Sequence, residues 1–225
     1  EIAPLGDNLL LKVASYITDP VTTTDELIPS GETSSYRSNP IKLSEFALSR
    51  RVPEYVGRSK AARDLADTVR EGVLPDELTS VMEALSLPAE TLKNTTIGSG
   101  IFANRPGDGS AREQAASCQK VLGGVANIAY SYATKRYRSN CINWGIVPFT
   151  LDESTPFDYQ PGDYLFVPGI KEAVRNGKED IPGKVVTSSG VKDILLHVKG
   201  LTEDEKAIIL EGCLINYYAA GYGKD

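Results

Sequence analysis

Residues 107–113, which we name the site turn, carry the side chains best suited to chemistry: Gly107-Asp108-Gly109-Ser110-Ala111-Arg112-Glu113. They follow a predicted strand and precede a predicted helix. Glycine allows positive φ and close approach of a ligand to the backbone, and a helix N-terminus offers free N–H donors to an anion. Arginine can bind a carboxylate through two parallel hydrogen bonds. The pattern predicts that Ser110 and Arg112 stand in the first turn of a helix, at a site for a carboxylate or a developing oxyanion.

The same residues also have a purely structural interpretation. Ser110 and Glu113 have the S-x-x-E spacing of a capping box, in which two side chains bond the free backbone N–H groups at the start of a helix. By composition alone, the site turn fits a well-capped helix as readily as a binding site, and both interpretations stay open at this point.

The hydrophobic pattern predicts the elements that position this turn. Residues 8–14 form a predicted strand, residues 15–40 are rich in turn-forming side chains, and two amphipathic helices are predicted within 57–87. A small-residue helix is predicted to end near Val121. The other predicted strands are 99–104, 125–130, 146–150, 163–168, 183–188 and 191–199, and the other predicted helices are 43–51, 131–144 and 202–217. This alternation predicts βαβ units followed by an antiparallel or barrel-like part.

The composition narrows the classes of partner. The 225 residues include 24 Lys and Arg against 30 Asp and Glu, a formal net charge of −6, and 41% are hydrophobic. Nucleic acids and anionic membrane surfaces favour clustered positive charge. We therefore predict neither as a partner and expect a small molecule or another protein. No apolar run approaches the roughly 18 residues of a membrane span.

Metal-ligating residues are few. The cysteines Cys118, Cys141 and Cys213 lack the C-x-x-C spacing of zinc or iron–sulfur ligands, and their odd number does not fit a disulfide framework. We interpret them as buried thiols in a reducing, cytoplasmic compartment. The single histidine, His197, lies in an alternating strand pattern and is interpreted as a strand residue rather than as a ligand.

The site turn and the helix after it resemble a signature of the aconitase and isopropylmalate isomerase superfamily. In the C-terminal swivel domain of that family the signature is G-S-[SA]-R-E-x-A-A, and here it is Gly109-Ser110-Ala111-Arg112-Glu113-Gln114-Ala115-Ala116. Further resemblances follow in family order over nearly the whole chain. They are Leu10-Leu11-Lys12-Val13, Thr24-Asp25-x-Leu27-x-Pro29-x-Gly31, Leu122-Gly123-Gly124, Ser131-Tyr132-Ala133, Asn140-Cys141 with Gly145 and Pro148, and the closing residues 210–217.

The resemblance implies roles for five residues. Ser110 matches the family serine that acts, as an alkoxide, as the general base on the carbon beside a substrate carboxylate. Arg112 matches an arginine that binds a substrate carboxylate. Arg37 resembles a second such arginine, although its polar loop is equally compatible with a solvated side chain. Gly109 and Ala111 flank the serine at substrate-binding positions.

Two positions depart from the family pattern. Glu26 stands where aconitases commonly have histidine, and Ala111 replaces a second serine that many relatives have at this position. These departures indicate a divergent aconitase-like hydratase and weaken the case for citrate as its substrate.

The resemblance implies an α/β fold of the swivelling β/β/α type, a mixed sheet or barrel-like β core with outer helices, here with a helical insertion at about 43–92. It implies a single domain over residues 1–225, and the absence of an initiator methionine indicates a piece of a longer polypeptide. The cluster-ligating cysteines of the family have no match, so we expect no cofactor or metal on this chain and a 4Fe–4S cluster in partner domains or a large subunit.

The function implied by the resemblance is reversible dehydration of a hydroxy di- or tricarboxylate by a hydro-lyase or isomerase, with the isolated domain inactive. Two alternatives stay open. One is a non-catalytic module with a degenerate swivel fold that serves assembly or carboxylate sensing. The other is a free-standing small subunit of the isopropylmalate isomerase type, against which the missing methionine and the helical insertion count.

Overall fold

Strands and helices alternate between residues 106 and 150, as the hydrophobic pattern predicts. The structure, a computed structural model, describes residues 1–29, 36, 38–110 and 112–224. The strands in this part are β1 (Asn8–Ile17), β2 (Thr22–Thr23), β3 (Thr95–Ala103), β4 (Pro106–Asp108), β5 (Gly124–Ala129), β6 (Val147–Thr150), β7 (Tyr164–Val167), β8 (Asp180–Thr187) and β9 (Gly190–His197). The helices are α1 (Thr24–Leu27), α2 (Pro40–Ser44), α3 (Tyr55–Arg70), α4 (Asp76–Ala84), α5 (Gln114–Val121), α6 (Lys135–Asn143), α7 (Ile170–Arg175), α8 (Glu203–Glu211) and α9 (Leu214–Ala219), with a 3₁₀ helix at Ala89–Asn94.

Seven strands close into a barrel in the order β1-β3-β5-β6-β9-β8-β7. The first four are mutually parallel. The other three join them antiparallel, and β7 returns to β1. Strands β2 and β4 form a separate parallel pair. This mixed, barrel-like β core with outer helices confirms the predicted fold class.

The sequence of β1 shows why the strand is buried on both sides. Leu9, Leu11 and Val13 belong to the cluster that fills the barrel, whereas Leu10 belongs to a cluster under the outer helices. Successive side chains of a strand point to opposite faces, and both faces are covered here, so the strand is apolar almost throughout. Burial of each such side chain stabilises the fold by roughly 1.5–3 kcal/mol.

Helices occupy most of residues 40–94 and cover the outer face of the barrel. Leu78 and Met82 of α4 pack with Leu10 and Phe166 in a core of their own. Helices therefore occupy the region predicted at about 43–92, a few residues wider at each end than expected, and their assignment as an insertion into the family fold stays a prediction. The two helices predicted within 57–87 are α3 and α4.

Three predicted helix boundaries are wrong. In place of the helix expected at 43–51 the structure has the short helix α2, which is capped by the Asn39 side chain and ends at Ser44, and residues 45–51 form turns. The helix expected at 131–144 starts at Lys135, because the hydroxyl of Thr134 accepts a hydrogen bond from the third residue of the helix. The last predicted helix is interrupted at Gly212, where φ is +104°, and becomes α8 and α9.

Candidate active site

The carboxyl ends of the four parallel strands meet at one edge of the barrel, which is where α/β sheets commonly bind ligands. There the loop after β1 and the loop after β3 pair through β2 and β4. Asn104 also connects them, since its Nδ2 donates to the carbonyl oxygens of Thr18 (2.8 Å) and Asp19 (3.1 Å). The loop that carries the site turn is thus fixed to the loop that carries Thr24.

The start of the site turn lies directly on α6. Gly107 has φ +97°, and a Cβ there would lie 2.5 Å from the ring of Tyr137. Its carbonyl accepts a hydrogen bond from Thr134 Oγ1 (3.0 Å), and the carbonyl of Pro106 accepts one from Ala133 N (2.9 Å). Glycine is therefore required at position 107 both by its backbone conformation and by the aromatic ring beneath it.

A buried polar network supports that ring from below. Asn127 donates from Nδ2 to the hydroxyl of Tyr137 (3.1 Å) and accepts from Gln119 Nε2 (2.5 Å). Cys141 lies in the same network, and burial raises the pKa of its thiol to about 12. Burial also raises the pKa of Tyr137. These groups therefore stay neutral at physiological pH, and they hold α6 against β5 rather than acting as acids or metal ligands.

The middle of the site turn is held by α1. Thr24 is buried, and its Oγ1 donates a 2.6 Å hydrogen bond to the carbonyl oxygen of Ser110. The side chain of Ser110 is exposed to solvent. The backbone at position 110 is thus anchored, while its hydroxyl is presented outward where a substrate could reach it.

Arg112 also contacts this short helix. Its Nη2 donates to the carbonyl oxygens of Thr24 (3.3 Å) and Ile28 and lies 3.5 Å from a carboxylate oxygen of Asp25. The side chain is 26% exposed. Nε and Nη1 of Arg112 have no hydrogen-bond partner among the described residues, which leaves part of the guanidinium able to bind a carboxylate from solution.

The predicted position of Ser110 and Arg112 in the first turn of a helix is wrong. Helix α5 starts at Gln114 and has no side-chain cap, so the alternative of a Ser110–Glu113 capping box is also wrong. Glu113 Oε1 instead accepts a hydrogen bond from Trp144 Nε1 (3.1 Å). Because α5 starts four residues after Ser110, the dipole of this helix acts on Ser110 from beyond its first turn and contributes less there than expected.

Of the other three predicted site residues, only Gly109 lies in the described part of the chain. Gly109 is exposed, with φ +88° and no atom closer than 4.0 Å to a Cβ placed on it. Arg37 and Ala111 lie outside the described residues. Of the predicted site residues, Ser110 and Arg112 thus both contact Thr24.

The departure at position 26 has a structural explanation. Glu26 completes a capping box at the start of α1, because its Oε2 accepts from Thr23 N (2.8 Å) and its own N–H donates to Thr23 Oγ1 (3.1 Å). The residue that replaces the usual histidine thus stabilises the helix that holds the site turn.

Sequence reasoning missed the part played by Thr24. It was included in the Thr24-Asp25 motif, but no role was predicted for it. Its bond to Ser110 joins residues 86 positions apart. The only signal in the sequence was the motif match, since neither spacing nor composition relates the two segments.

His197 is a buried strand residue, 5% exposed, as interpreted from the sequence. Its Nδ1 lies 2.8 Å from a carboxylate oxygen of Asp180 and its Nε2 lies 3.2 Å from one of Asp152. In the described part of the chain, no group of three or more His, Cys, Asp or Glu side chains is arranged to hold a metal ion. No helix among the described residues is long and apolar enough to cross a membrane.

Comparison with known proteins identifies the class. Residues 59–154 match the family model of the aconitase C-terminal domain. The chain is 27% identical over 197 residues to a putative mitochondrial aconitate hydratase of Emericella nidulans, covering 86% of this chain and 23% of the relative. It is 35% identical over 113 residues to the 3-isopropylmalate dehydratase small subunit of Metallosphaera sedula, covering 50% of this chain and 66% of the relative. The crystal structure of 3-isopropylmalate dehydratase from Methanocaldococcus jannaschii is similar, with TM-score 0.54, 21% identity and coverage of 95% and 94% of the two chains.

Residues 59–154 thus match the aconitase C-terminal domain, and the relatives of the chain include aconitate hydratases and a 3-isopropylmalate dehydratase small subunit, which confirms the resemblance found in the sequence. The solved structure supports the swivel fold alone. The chain spans about a quarter of the length of the aconitate hydratases it matches. The assignment of residues 1–225 to one domain stays a prediction.

Proposed function

We propose that this chain is the swivel domain of an aconitase-like hydro-lyase or isomerase that reversibly dehydrates a hydroxy di- or tricarboxylate. Relatives named as aconitate hydratases and as a 3-isopropylmalate dehydratase small subunit support this class of reaction. The observation that carries the proposal is the exposed side chain of Ser110, whose backbone carbonyl is anchored by Thr24. Arg112 contacts the same threonine, and part of its guanidinium has no partner among the described residues.

In this proposal Ser110 removes a proton from the carbon beside a substrate carboxylate, and it returns the proton in the reverse reaction. A serine hydroxyl in water is far too weak an acid to act as an alkoxide. Its environment must therefore exclude water and supply positive charge, since charge is stabilised much more strongly in a closed site than in solvent. Arg112 is the nearest candidate source of that charge in the site turn, and it would also bind the carboxylate.

The cysteines of this chain do not fit an iron–sulfur cluster. Cluster ligands are thiolates, whereas Cys118, Cys141 and Cys213 are buried in separate elements. Burial raises the pKa of Cys118 to about 11 and that of Cys141 to about 12. We therefore assign any 4Fe–4S cluster of the complete enzyme to cluster-bearing domains or to a large subunit, which are the partners we propose.

Solvent exposure of Ser110 also supports the proposal that the isolated chain is inactive. A partner surface would have to close over the site turn before the serine could act as a base. Measurable turnover by this chain alone, without iron, would contradict the proposal.

Replacement of Ser110 by alanine in the complete enzyme is the direct test. We expect kcat to fall by about 10²–10⁴-fold or more, with KM within a few-fold of wild type, because the hydroxyl acts in proton transfer rather than in binding. Steady-state kinetics with hydroxy di- and tricarboxylates would measure both constants. Thermal unfolding should be unchanged, since the side chain of Ser110 is exposed.

Ser189→Ala is the matched control, because Ser189 is also exposed and lies at the tip of the β8–β9 hairpin. It should leave kcat unchanged. Near-normal kcat in the Ser110→Ala enzyme would favour the alternative of a non-catalytic module instead.

A free-standing small subunit is the second candidate, favoured by the match to the Metallosphaera sedula subunit and by the similar solved structure. The mass of the native polypeptide, measured by mass spectrometry, separates a subunit from a domain of a longer chain. A small polycarboxylate substrate, no nucleic acid partner, no membrane association and a cytoplasmic location all stay predictions.

A further inference from the structure

An open space lies at the opposite end of the barrel from the site turn. This amino-end cavity has a volume of about 1050 Å³ and is bounded by residues 1–7, by α3, by the end of α5 and by the first residues of β3 and β5. Strand β3 has 9 residues, and at about 3.3 Å per residue its two ends lie roughly 26 Å apart. The cavity is therefore separate from the surface that presents Ser110. Its volume is at the upper end of the range for small-molecule sites, roughly 300–1,000 Å³.

Most of the charged residues that line the cavity are basic, although the chain as a whole has a net charge of −6. Two acidic residues, Glu1 and Asp7, line it. The cationic residues that line it are Arg63, Arg70, Lys93, Lys120 and Lys171. Positive charge is thus concentrated in one concave place on an acidic protein, which attracts anions.

Three of these cations already have partners. Arg70 pairs with Asp67, and Lys93 pairs with Glu90. Arg63 donates from Nη1 to the carbonyl oxygen of Val121 at 3.1 Å. Within residues 1–29, 36, 38–110 and 112–224, the amines of Lys120 and Lys171 have no carboxylate within ion-pair distance and no hydrogen-bond partner.

Each of these two lysines lies where its positive charge destabilises the fold. Lys120 is half-buried in the last turn of α5, with Nζ 3.6 Å from where a Cβ on Gly145 would stand. Burial lowers the pKa of Lys120 to about 8. Lys171 lies in the first turn of α7, where a cation is disfavoured by the helix dipole. A buried cation without a counter-charge is destabilising, and an anion in the cavity would supply the missing charge to both lysines.

We propose that the amino-end cavity binds a small organic polyanion, one that carries two or more phosphate or carboxylate groups, with Lys120 and Lys171 as its charged contacts. Apolar side chains of Leu92, Ile97 and Val125 line the same space and can pack against the carbon skeleton of the ligand. This site is additional to the proposed substrate site, and it does not depend on the hydratase proposal.

Isothermal titration calorimetry of the 225-residue chain would test this proposal, with pyrophosphate, adenosine 5′-triphosphate and citrate as separate probes at low ionic strength. Pyrophosphate and adenosine 5′-triphosphate test for recognition of phosphate groups, and citrate tests for recognition of carboxylate groups. We expect at least one of them to bind. Lys120→Gln and Lys171→Gln should each weaken that Kd about tenfold or more, because a charge-assisted hydrogen bond is lost.

Lys178→Gln is the matched control, since Lys178 is an exposed lysine outside the cavity and should leave Kd within twofold. Circular dichroism would verify that each variant is folded. Because Lys120→Gln and Lys171→Gln change different helices, weaker binding by both would not be explained by misfolding of one variant. The proposal is overturned if no probe binds, if both cavity variants bind as wild type does, or if Lys178→Gln weakens binding equally. It is also overturned if Arg112→Gln abolishes binding while Lys120→Gln does not, because the anion would then lie at the site turn.

Discussion

The two ends of the barrel use their polar groups in opposite ways. At the carboxyl end, loops that follow different strands are hydrogen-bonded to each other: Thr24 to Ser110, and Thr134 to Gly107. At the amino end, Lys120 and Lys171 line an open cavity, and their amines have no partner among the described residues. The first arrangement fixes a backbone and leaves one hydroxyl exposed. The second leaves charge unsatisfied, and a ligand could gain binding energy by neutralising it.

This difference separates two ways of building a site on one scaffold. A base that takes a proton from carbon must be positioned to within a fraction of an ångström, and interlocked loops achieve this at a cost in conformational entropy. A site that only binds an anion needs charge and volume more than exact geometry. We therefore expect substitutions at the carboxyl end to have large structural effects and those at the amino end to have small ones.

The largest expected effect is that of Gly107→Ala. Its Cβ would lie 2.5 Å from the ring of Tyr137, in a backbone with φ +97°. Left-handed backbone costs about 1–2 kcal/mol for a non-glycine residue, and overpacking against the ring adds about 1–3 kcal/mol. We expect the free energy of unfolding to fall by about 2–5 kcal/mol, as measured by urea denaturation.

Gly109→Ala measures the backbone part of that loss, and the difference between the two variants gives the packing part. Gly109 also has positive φ, +88°, but a Cβ there would meet no atom closer than 4.0 Å. It should cost only the backbone term of about 1–2 kcal/mol. Equal losses in the two variants would mean that α6 does not support the site turn as described.

The two ends also differ in how much the sequence could predict. The strand predicted at 8–14 and the helix start predicted at Thr202 depend on local patterns of the sequence, and the structure confirms both, as β1 and the start of α8. The site turn was found as a motif, but its geometry was predicted wrongly. The S-x-x-E spacing favoured a capped helix, whereas Glu113 bonds Trp144, which is 31 positions away.

The amino-end cavity could not be predicted from the sequence at all. Its lysines belong to α5 and α7, and its walls come from segments as distant as residues 1–7 and 120–125. No periodicity or spacing relates these segments, and only closure of the barrel brings them together. Long-range hydrogen bonds and cavities of this kind depend on tertiary packing rather than on local propensity.

A smaller effect is expected from Thr24→Val, which tests the link between α1 and the site turn. The substitution keeps the shape but removes the 2.6 Å hydrogen bond to the carbonyl of Ser110. Loss of a hydrogen bond with a buried donor costs about 1–2 kcal/mol. Differential scanning calorimetry should therefore show a lower Tm for this variant.

Thr22→Val provides an internal comparison for Thr24→Val. Thr22 is also buried, but its Oγ1 has no hydrogen-bond partner among the described residues. Removal of an unpaired buried hydroxyl is neutral or stabilising by up to about 1 kcal/mol. If both valine variants lost the same stability, side-chain shape rather than the bond to Ser110 would explain the effect.

The smallest effect is expected at the amino end, from Lys120→Met, and its sign is opposite. Methionine keeps the apolar stem and removes the cation. Burial lowers the pKa of Lys120 to about 8 from its ordinary 10.5, so the unfolded chain binds this proton over a pH range in which the folded chain has lost it. The charge therefore destabilises the wild-type fold fully below pH 8, and this contribution is lost as pH rises from 8 towards 10.5.

Lys120→Met should thus raise the free energy of unfolding at pH 7, by up to about 1 kcal/mol after screening by solvent. The gain should shrink as the pH of the urea titration approaches 10. Lys178→Met, at an exposed position, should change stability little at either pH and corrects for effects of net charge. A Lys120→Met protein that is more stable, yet no longer binds a polyanion, would mean that this lysine is retained for binding at the expense of the fold. A loss of stability at pH 7 would instead make Lys120 a structural residue, and the contrast between the two ends of the barrel would then be wrong.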